Sequence, residues 1–234
     1  MMSEHFYYLV IDIACISFPL LFSFHPAIKF YKEWKSLFKA LSISALLFIV
    51  WDEWFTIMQV WSFNPRYLTG IYLGHLPIEE LLFFFLIPYC LMFMYHCSER
   101  YFLQFKTNGK GVMYINNVLS FFLIITGIIY HNKWYTGFTF TLTGIVLLLI
   151  TNIPYGKTIN WLRFWMIYGF GLIPFFIVNG ILTSIPIVQY NNTENLGIRL
   201  TTIPVEDSVY NLLLFLCNVS LYEYFRYKTK KANS

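Results

Sequence analysis

The chain has 234 residues, of which 58% are hydrophobic and only 12% are charged, and its mean hydropathy is +0.58. A soluble domain of this length does not need so much apolar surface, so this composition excludes a soluble globular protein. The net charge of +4 does not indicate nucleic-acid binding, because the placement of the basic residues follows a membrane pattern. We therefore predict an all-α integral membrane protein.

Seven stretches of the chain approach the ~20 apolar residues that cross a bilayer as a helix. They lie at 6–24, 37–57, 76–97, 113–131, 134–153, 164–184 and 203–225. Of the Lys and Arg residues, 13, including Lys106, fall on one side of the predicted membrane and three on the other. Because basic residues accumulate on the cytoplasmic side, the N-terminus is predicted to lie outside and the C-terminus in the cytoplasm.

An internal repeat with an offset of 127 residues organises the chain. The segment 70–80 returns as 197–207, with the shared pattern G-I-x-L-x-x-[LI]-P-[IV]-E-[ED]. The same offset carries the first three predicted helices onto the last three. The predicted fold is therefore two parallel three-helix repeats, 1–110 and 133–234, joined by a linker helix at 111–132. A pseudo-twofold axis along the membrane normal would bring both motifs to one face of the membrane.

Each copy of the motif places two adjacent carboxyl groups at the start of a membrane helix. These are Glu79 and Glu80 in the first repeat, and Glu206 and Asp207 in the second. An intramembrane carboxyl group indicates a functional site by default, although these acids could instead complement the helix dipole. Neighbouring residues on a helix point about 100° apart, so only one acid of each pair can face the centre squarely. We expect Glu79 and Glu206 to face inward, because they are identical in the two copies.

Two further polar positions repeat with the same offset. Asp52 in the second predicted helix returns as Asn179, and this unequal pair predicts different tasks for the two halves or a structural hydrogen bond. Asn64 and Asn191 precede the two motifs, where they either brace the loops or contact a substrate.

Two further acidic residues lie in the predicted helices. Asp12, in the first predicted helix, could be functional or structural. Glu223 lies beside Arg226 near the predicted cytoplasmic boundary, where an ion pair is a better explanation than chemistry.

Aromatic residues make up 21% of the chain and include Phe83, Phe84 and Tyr210 near the acidic motifs. Aromatic faces stabilise cations, so an apolar cavity with a carboxyl group at one end suits a carbocation reaction. The sequence contains no dinucleotide-binding, Walker A or serine-triad pattern, and no spacing typical of a metal site. We expect acid–base chemistry on an apolar substrate, without a cofactor or a metal.

These motifs resemble the integral-membrane lycopene cyclases, which occur as two small bacterial subunits or as one fused chain. Segments 51–52, 61–65 and 76–80 look like the first subunit, whereas Asn179 and segments 190–191, 203–207 and 221–223 look like the second. The resemblance covers almost the whole chain and implies a fused form of the enzyme.

The resemblance implies that linear ψ-ends of lycopene are converted to β-ionone rings in carotenoid biosynthesis, with no net redox change. It implies a multi-pass protein of the bacterial plasma membrane whose partners are lycopene or a related carotenoid, the lipid bilayer and other carotenoid-pathway enzymes, but not nucleic acid. Another carotenoid-modifying membrane enzyme, such as a hydratase, or a proton-coupled transporter is the alternative.

For a cyclase we expect Glu79 or Glu206 to protonate the terminal double bond, and Glu80, Asp207 or Asp52 to remove a proton after ring closure. The candidate catalytic residues are Glu79, Glu80, Glu206, Asp207 and Asp52. The candidate substrate-binding residues are Phe83, Phe84, Tyr210, Asn64, Asn179 and Asn191.

Overall fold

The computed structural model describes residues 4–102 and 110–232. Lys106, one of the basic residues behind the predicted orientation, lies outside the described residues. The described chain forms seven long α-helices, which confirms the predicted all-α fold. They are α1 Tyr7–Phe22, α2 Trp34–Ile57, α3 Ile78–Phe102, α4 Lys110–Ile129, α5 Trp134–Asn152, α6 Trp161–Ser184 and α7 Glu206–Ala232.

Six of these helices, α1 to α6, are long and apolar enough to cross a membrane, within the part of the chain that the structure describes. This number of apolar helices supports a membrane protein. Helix α7 is at least as long as most of them, but it carries charged residues at both ends and is less apolar. Its place in the membrane therefore stays a prediction.

The observed elements repeat with the offset found in the sequence. Helix α2 begins at residue 34 and ends at 57, and α6 begins at 161 and ends at 184. Each of these helices is followed by a short strand, β1 Trp61–Phe63 after α2 and β4 Val188–Tyr190 after α6. The two strands pair in an antiparallel manner across the two repeats. Ser62 faces its own repeat mate, Gln189, at the centre of this pair. A pseudo-twofold axis therefore passes through the β1–β4 pair, which confirms two parallel repeats.

A short hairpin precedes each acidic helix. The first pairs β2 Tyr72–Leu73 with β3 Leu76–Pro77, and the second pairs β5 Arg199–Leu200 with β6 Ile203–Pro204. Pro77 and Pro204 each end a hairpin strand, and the acidic helix begins just after it. The fixed φ of proline suits an extended strand at a sheet edge.

Helices α3 and α7 contact each other, as predicted, and lie at the centre of the bundle. Helices α2, α5 and α6 pack around them, and α1 packs against α3. The linking helix α4 packs mainly on α5, where Gly127 and Gly144 allow close approach. The first turns of α3 and α7 consequently meet between the two repeats.

Candidate functional site

Carboxyl groups from both repeats line one buried cavity, here called the acidic cavity. They belong to Asp52 on α2, Glu80 on α3 and Asp207 on α7, whose exposed fractions are 1%, 8% and 2%. The cavity has an empty volume of about 630 Å³, part of which is open to the surroundings. Three carboxyl groups with so little exposure to water are typical of functional sites rather than of stable cores.

A tyrosine from the first helix of each repeat binds the second acid of each motif. The Tyr8 hydroxyl donates to Glu80 Oε2 over 2.5 Å, and the Tyr135 hydroxyl donates to Asp207 Oδ1 over 2.5 Å. Tyr8 and Tyr135 are repeat mates, and neither was identified from the sequence. The 127-residue offset could have identified them, because it relates Tyr8 to Tyr135, and a tyrosine is thus repeated outside the acidic motif.

Asp207 accepts two further hydrogen bonds on its other oxygen. The Tyr190 hydroxyl donates to Oδ2 over 2.8 Å, and Asn179 Nδ2 donates to the same oxygen over 3.1 Å. Burial raises the pKa of the Tyr190 phenol well above its usual value, and the charge of Asp207 raises it further. The phenol therefore stays protonated and donates. Three side-chain donors on one carboxyl group favour its ionised form.

Asp52 has a different environment from Asp207. Its Oδ1 accepts from the Trp61 indole Nε1–H over 2.5 Å. Its Oδ2 is buried and has no hydrogen-bond partner among the described residues. A buried oxygen without a donor disfavours a charge, so a proton can reside there and be offered to a ligand. Asp52 and its mate Asn179 thus have different hydrogen-bond partners, and different tasks for them stay a prediction.

Glu79 and Glu206 do not line the acidic cavity, so the expectation that they face inward is wrong. Glu79 Oε1 accepts from the Thr69 backbone N–H over 2.7 Å, and Glu206 Oε1 accepts from the Leu196 backbone N–H over the same distance. The two acids fasten the loop before each hairpin to the helix start. Their identity between the repeats reflects this shared structural task.

The two repeated asparagines brace loops, as one of the two alternatives predicted, and they do not line the acidic cavity; a contact with substrate stays a prediction. Asn64 Oδ1 accepts from the Arg66 backbone N–H over 3.1 Å. Asn191 Oδ1 accepts from the Thr193 backbone N–H over 3.1 Å. Both side chains mimic a backbone turn, which explains why the position repeats.

The aromatic candidates do lie at the cavity. Phe83, Phe84 and Tyr210 line it together with Asn179. The Tyr210 hydroxyl is buried and has no hydrogen-bond partner in the described parts of the chain. Trp51 packs on Tyr210, with ring centroids 4.8 Å apart, and extends the aromatic wall. This wall offers π-faces to a cation and keeps bulk water away.

The remaining acids lie away from the cavity lining. Glu223 pairs with Arg163 over 2.8 Å, and Arg226 pairs with Glu99 over 2.8 Å. The predicted Glu223–Arg226 pair is therefore wrong, because each residue finds a nearer partner on a neighbouring helix. Asp12 is fully buried, and neither of its carboxyl oxygens has a hydrogen-bond partner within residues 4–102 and 110–232.

Among the described residues, no group of three or more His, Cys, Asp and Glu side chains is arranged to hold a metal ion. The chemistry that the cavity itself offers is proton donation and acceptance beside an aromatic wall.

The sequence model of a family described as lycopene cyclase matches the chain twice, over residues 5–98 and 132–225. Helix α4 lies between the matched segments. A search of curated proteins and a search of solved structures give no match.

Proposed function

Because the chain belongs to the lycopene cyclase family, we propose that it is a β-cyclase that closes the ψ-ends of lycopene into β-ionone rings by acid–base chemistry. The observation that carries the proposal is the acidic cavity. Asp52, Glu80 and Asp207 line it together, and each is held by different hydrogen bonds. Pairing acids of unequal basicity lets one site donate and accept protons.

The number of donors on each carboxyl group suggests its role. Asp52 has one donor and a free oxygen, so it is the proton donor to the terminal C1=C2 bond. The resulting tertiary cation at C1 is attacked by the C5=C6 bond, and the ring closes. Glu80, with one donor from Tyr8, is the base that removes the C6 proton. Asp207, with three donors, is the weakest base and remains an anion that stabilises the cation.

One proton enters at C2 and one leaves from C6, so the reaction is an isomerisation without redox change. The acids return to their starting states when Glu80 releases its proton to water and Asp52 takes up one proton from water. Aromatic walls formed by Phe83, Phe84 and Tyr210 shield the cation from water. Water at this stage would give an alcohol, which is the product of a hydratase.

In the proposed topology the protein crosses the membrane several times, with its N-terminus outside and its C-terminus in the cytoplasm, as the charge distribution predicts. The starts of α3 and α7 then lie near the outer face, and the acidic cavity lies with them. Its substrate is lycopene or a related carotenoid that reaches the protein from the bilayer.

Expression in a lycopene-accumulating bacterium tests the function directly. Chromatography of the extracted pigment should show γ-carotene and β-carotene in place of lycopene. A matched strain that expresses the Glu80→Gln variant should keep its lycopene. Unchanged lycopene beside well-expressed, membrane-inserted protein would overturn the proposal, and a hydroxylated product would show a hydratase instead.

A further inference from the structure

A second cavity adjoins the acidic cavity and runs between α1, α3 and α6. We call it the lateral groove. It has a cavity volume of about 320 Å³ and a lining that is almost entirely apolar, with Cys15 and Phe18 on α1, Cys90 on α3, and Gly171 and Pro174 on α6. This volume lies at the lower end of the range for small-molecule sites.

The lateral groove and the acidic cavity share part of their lining. Both are lined by Phe83, Ile87, Phe175 and Asn179. Along α3 the combined lining extends from residue 80 to residue 94, which corresponds to about 21 Å of helix. A long, thin ligand can therefore place one end beside the carboxyl groups while its body lies in the groove.

The lateral groove opens onto the outer surface of the bundle between α1 and α6. Phe18, which lines it, is 60% exposed, and Pro174 on the opposite side is also exposed. The exposed surface around them consists of apolar side chains, including Ile173 and Ile177 on α6. Because both helices are apolar enough to cross a membrane, this opening faces lipid and not water.

The equivalent space in the other repeat, between α5, α7 and α2, is filled. Val178 of the groove corresponds to Trp51, and Phe83 corresponds to Tyr210. Trp51 packs on Tyr210 and on Phe138, with ring centroids 4.8 and 4.9 Å apart. Among the described residues, aromatic side chains thus occupy space where a second groove would lie, so the two repeats differ at this position.

We propose that the lateral groove binds the unreacted body of a linear, acyclic polyene, which enters from the lipid between α1 and α6 and places one end group in the acidic cavity. The proposal rests on the proposed function for the identity of that end group. It accounts for the apolar lining, the opening to lipid and the single orientation of the bound chain. A bound polyene presents one end at a time.

The close approach of Leu91 to Gly171 suggests where to block the groove. A Cβ atom on Gly171 would lie 2.6 Å from Leu91 Cδ2, and both residues line the groove. Gly171→Phe should therefore fill the passage. Gly169 lies on the same helix, is exposed, and has nothing within 4 Å of a Cβ position. Gly169→Phe is the matched control, because it adds the same ring on the lipid side.

Binding is measured in the purified full-length protein with lycopene, in the Glu80→Gln background, so that turnover does not change the ligand. The readouts are the lycopene retained per protein after gel filtration and the circular dichroism induced in its visible absorption band. Gly171→Phe should reduce both readouts at least about tenfold, as loss of one good apolar contact surface predicts. Gly169→Phe should leave both unchanged, and thermal unfolding should show that the two variants are folded.

A second measurement covers the case in which Gly171→Phe does not fold. Cys15 and Cys90 line the groove, whereas Cys97 and Cys217 do not. Bound lycopene should slow alkylation of Cys15 and Cys90 by an apolar maleimide, with Cys97 unaffected, as read from peptide masses. Equal lycopene retention by folded Gly171→Phe, or no protection of Cys15 and Cys90, would overturn the proposal that the lateral groove binds the polyene. Bound but uncyclised lycopene in the wild type would contradict only the proposed function.

Discussion

Glu79 and Glu80 are neighbours in the sequence but have different partners. Glu79 holds the Thr69 backbone N–H, whereas Glu80 lines the acidic cavity and accepts from Tyr8. A glutamine at residue 79 can still accept the amide hydrogen, but a glutamine at residue 80 cannot take up a proton.

Isosteric substitution at these two residues should therefore separate structure from chemistry. We predict that Glu80→Gln lowers turnover about 10²–10⁴-fold, the usual loss when a positioned acid–base group is removed. Glu79→Gln should retain most of the turnover, and cyclisation rates in liposomes provide the measurement. If Glu79→Gln is as inactive as Glu80→Gln while remaining folded, the roles of the two acids are reversed.

The two repeat-related tyrosines provide a second residue-scale prediction. Tyr8→Phe removes the side-chain donor found on Glu80, whereas Tyr135→Phe leaves Asp207 with Tyr190 and Asn179. A hydrogen bond to a charged group contributes about 1.5–3 kcal/mol, so Tyr8→Phe should reduce turnover roughly tenfold or more. Tyr135→Phe should reduce it less. A larger loss in Tyr135→Phe would contradict the assignment of Glu80 as the base.

The sequence identified the region of the chain that holds the acids, but not which acids line the cavity. Glu79 and Glu206, which are identical in the two copies, each accept a hydrogen bond from a loop backbone N–H. Residues of both repeats line the cavity, and they differ in pairs such as Asp52 and Asn179. The three-dimensional contacts were needed to see this, because sequence spacing does not contain them.

At the scale of elements, the hairpins hold the starts of the acidic helices in place. Gly70 and Gly74 have φ values of 82° and 65°, in the left-handed region that favours glycine. A Cβ atom on Gly74 would lie 2.6 Å from Glu53 Oε1, and the Glu53 carboxyl group binds the His75 ring over 2.6 Å. At Gly70, nothing lies within 4 Å of a Cβ position.

We predict that Gly70→Ala destabilises the protein by about 1 kcal/mol, which is the backbone cost alone. Gly74→Ala should destabilise it more, because the methyl group also displaces Glu53 from His75. Thermal unfolding in detergent measures both, with Gly169→Ala as a helical control that should show no loss. Equal unfolding temperatures for Gly70→Ala and Gly74→Ala would contradict a stabilising contact between Glu53 and the hairpin.

The long helices could be predicted from the sequence, because each is a nearly continuous apolar run. The hairpins could not be predicted, since strands of two residues are too short to show an alternation of apolar and polar residues. Helix α7 extends to Ala232, beyond the predicted end at residue 225. The apolar pattern stops there, and the helix continues with Arg226, which pairs with Glu33 and Glu99. Tertiary ion pairs of this kind leave no periodic signal.

At the scale of the whole molecule, the two repeats share one acidic cavity. Asp52 and Glu80 come from the first repeat, and Asp207 comes from the second. The extended substrate is comparable in length with the about 30 Å hydrocarbon core of a bilayer, so its two ends cannot lie in one cavity together.

A bicyclic product therefore requires release of the polyene and binding in the reverse direction. We predict that the monocyclic carotenoid accumulates first in a time course and declines as the bicyclic product forms. Chromatography of samples quenched at successive times measures both species. A bicyclic product without a monocyclic precursor would indicate two sites, one in each repeat.

The most direct test of the central claim is cyclisation by purified protein in liposomes made up in D₂O, without added flavin or nicotinamide. If a carboxyl group protonates C2 and another removes the C6 proton, each ring gains one deuterium from solvent. Mass spectrometry should then show a shift of one mass unit for the monocyclic product and two for the bicyclic product. Rings formed without solvent deuterium, or only with an added reduced cofactor, would contradict acid–base catalysis in the acidic cavity.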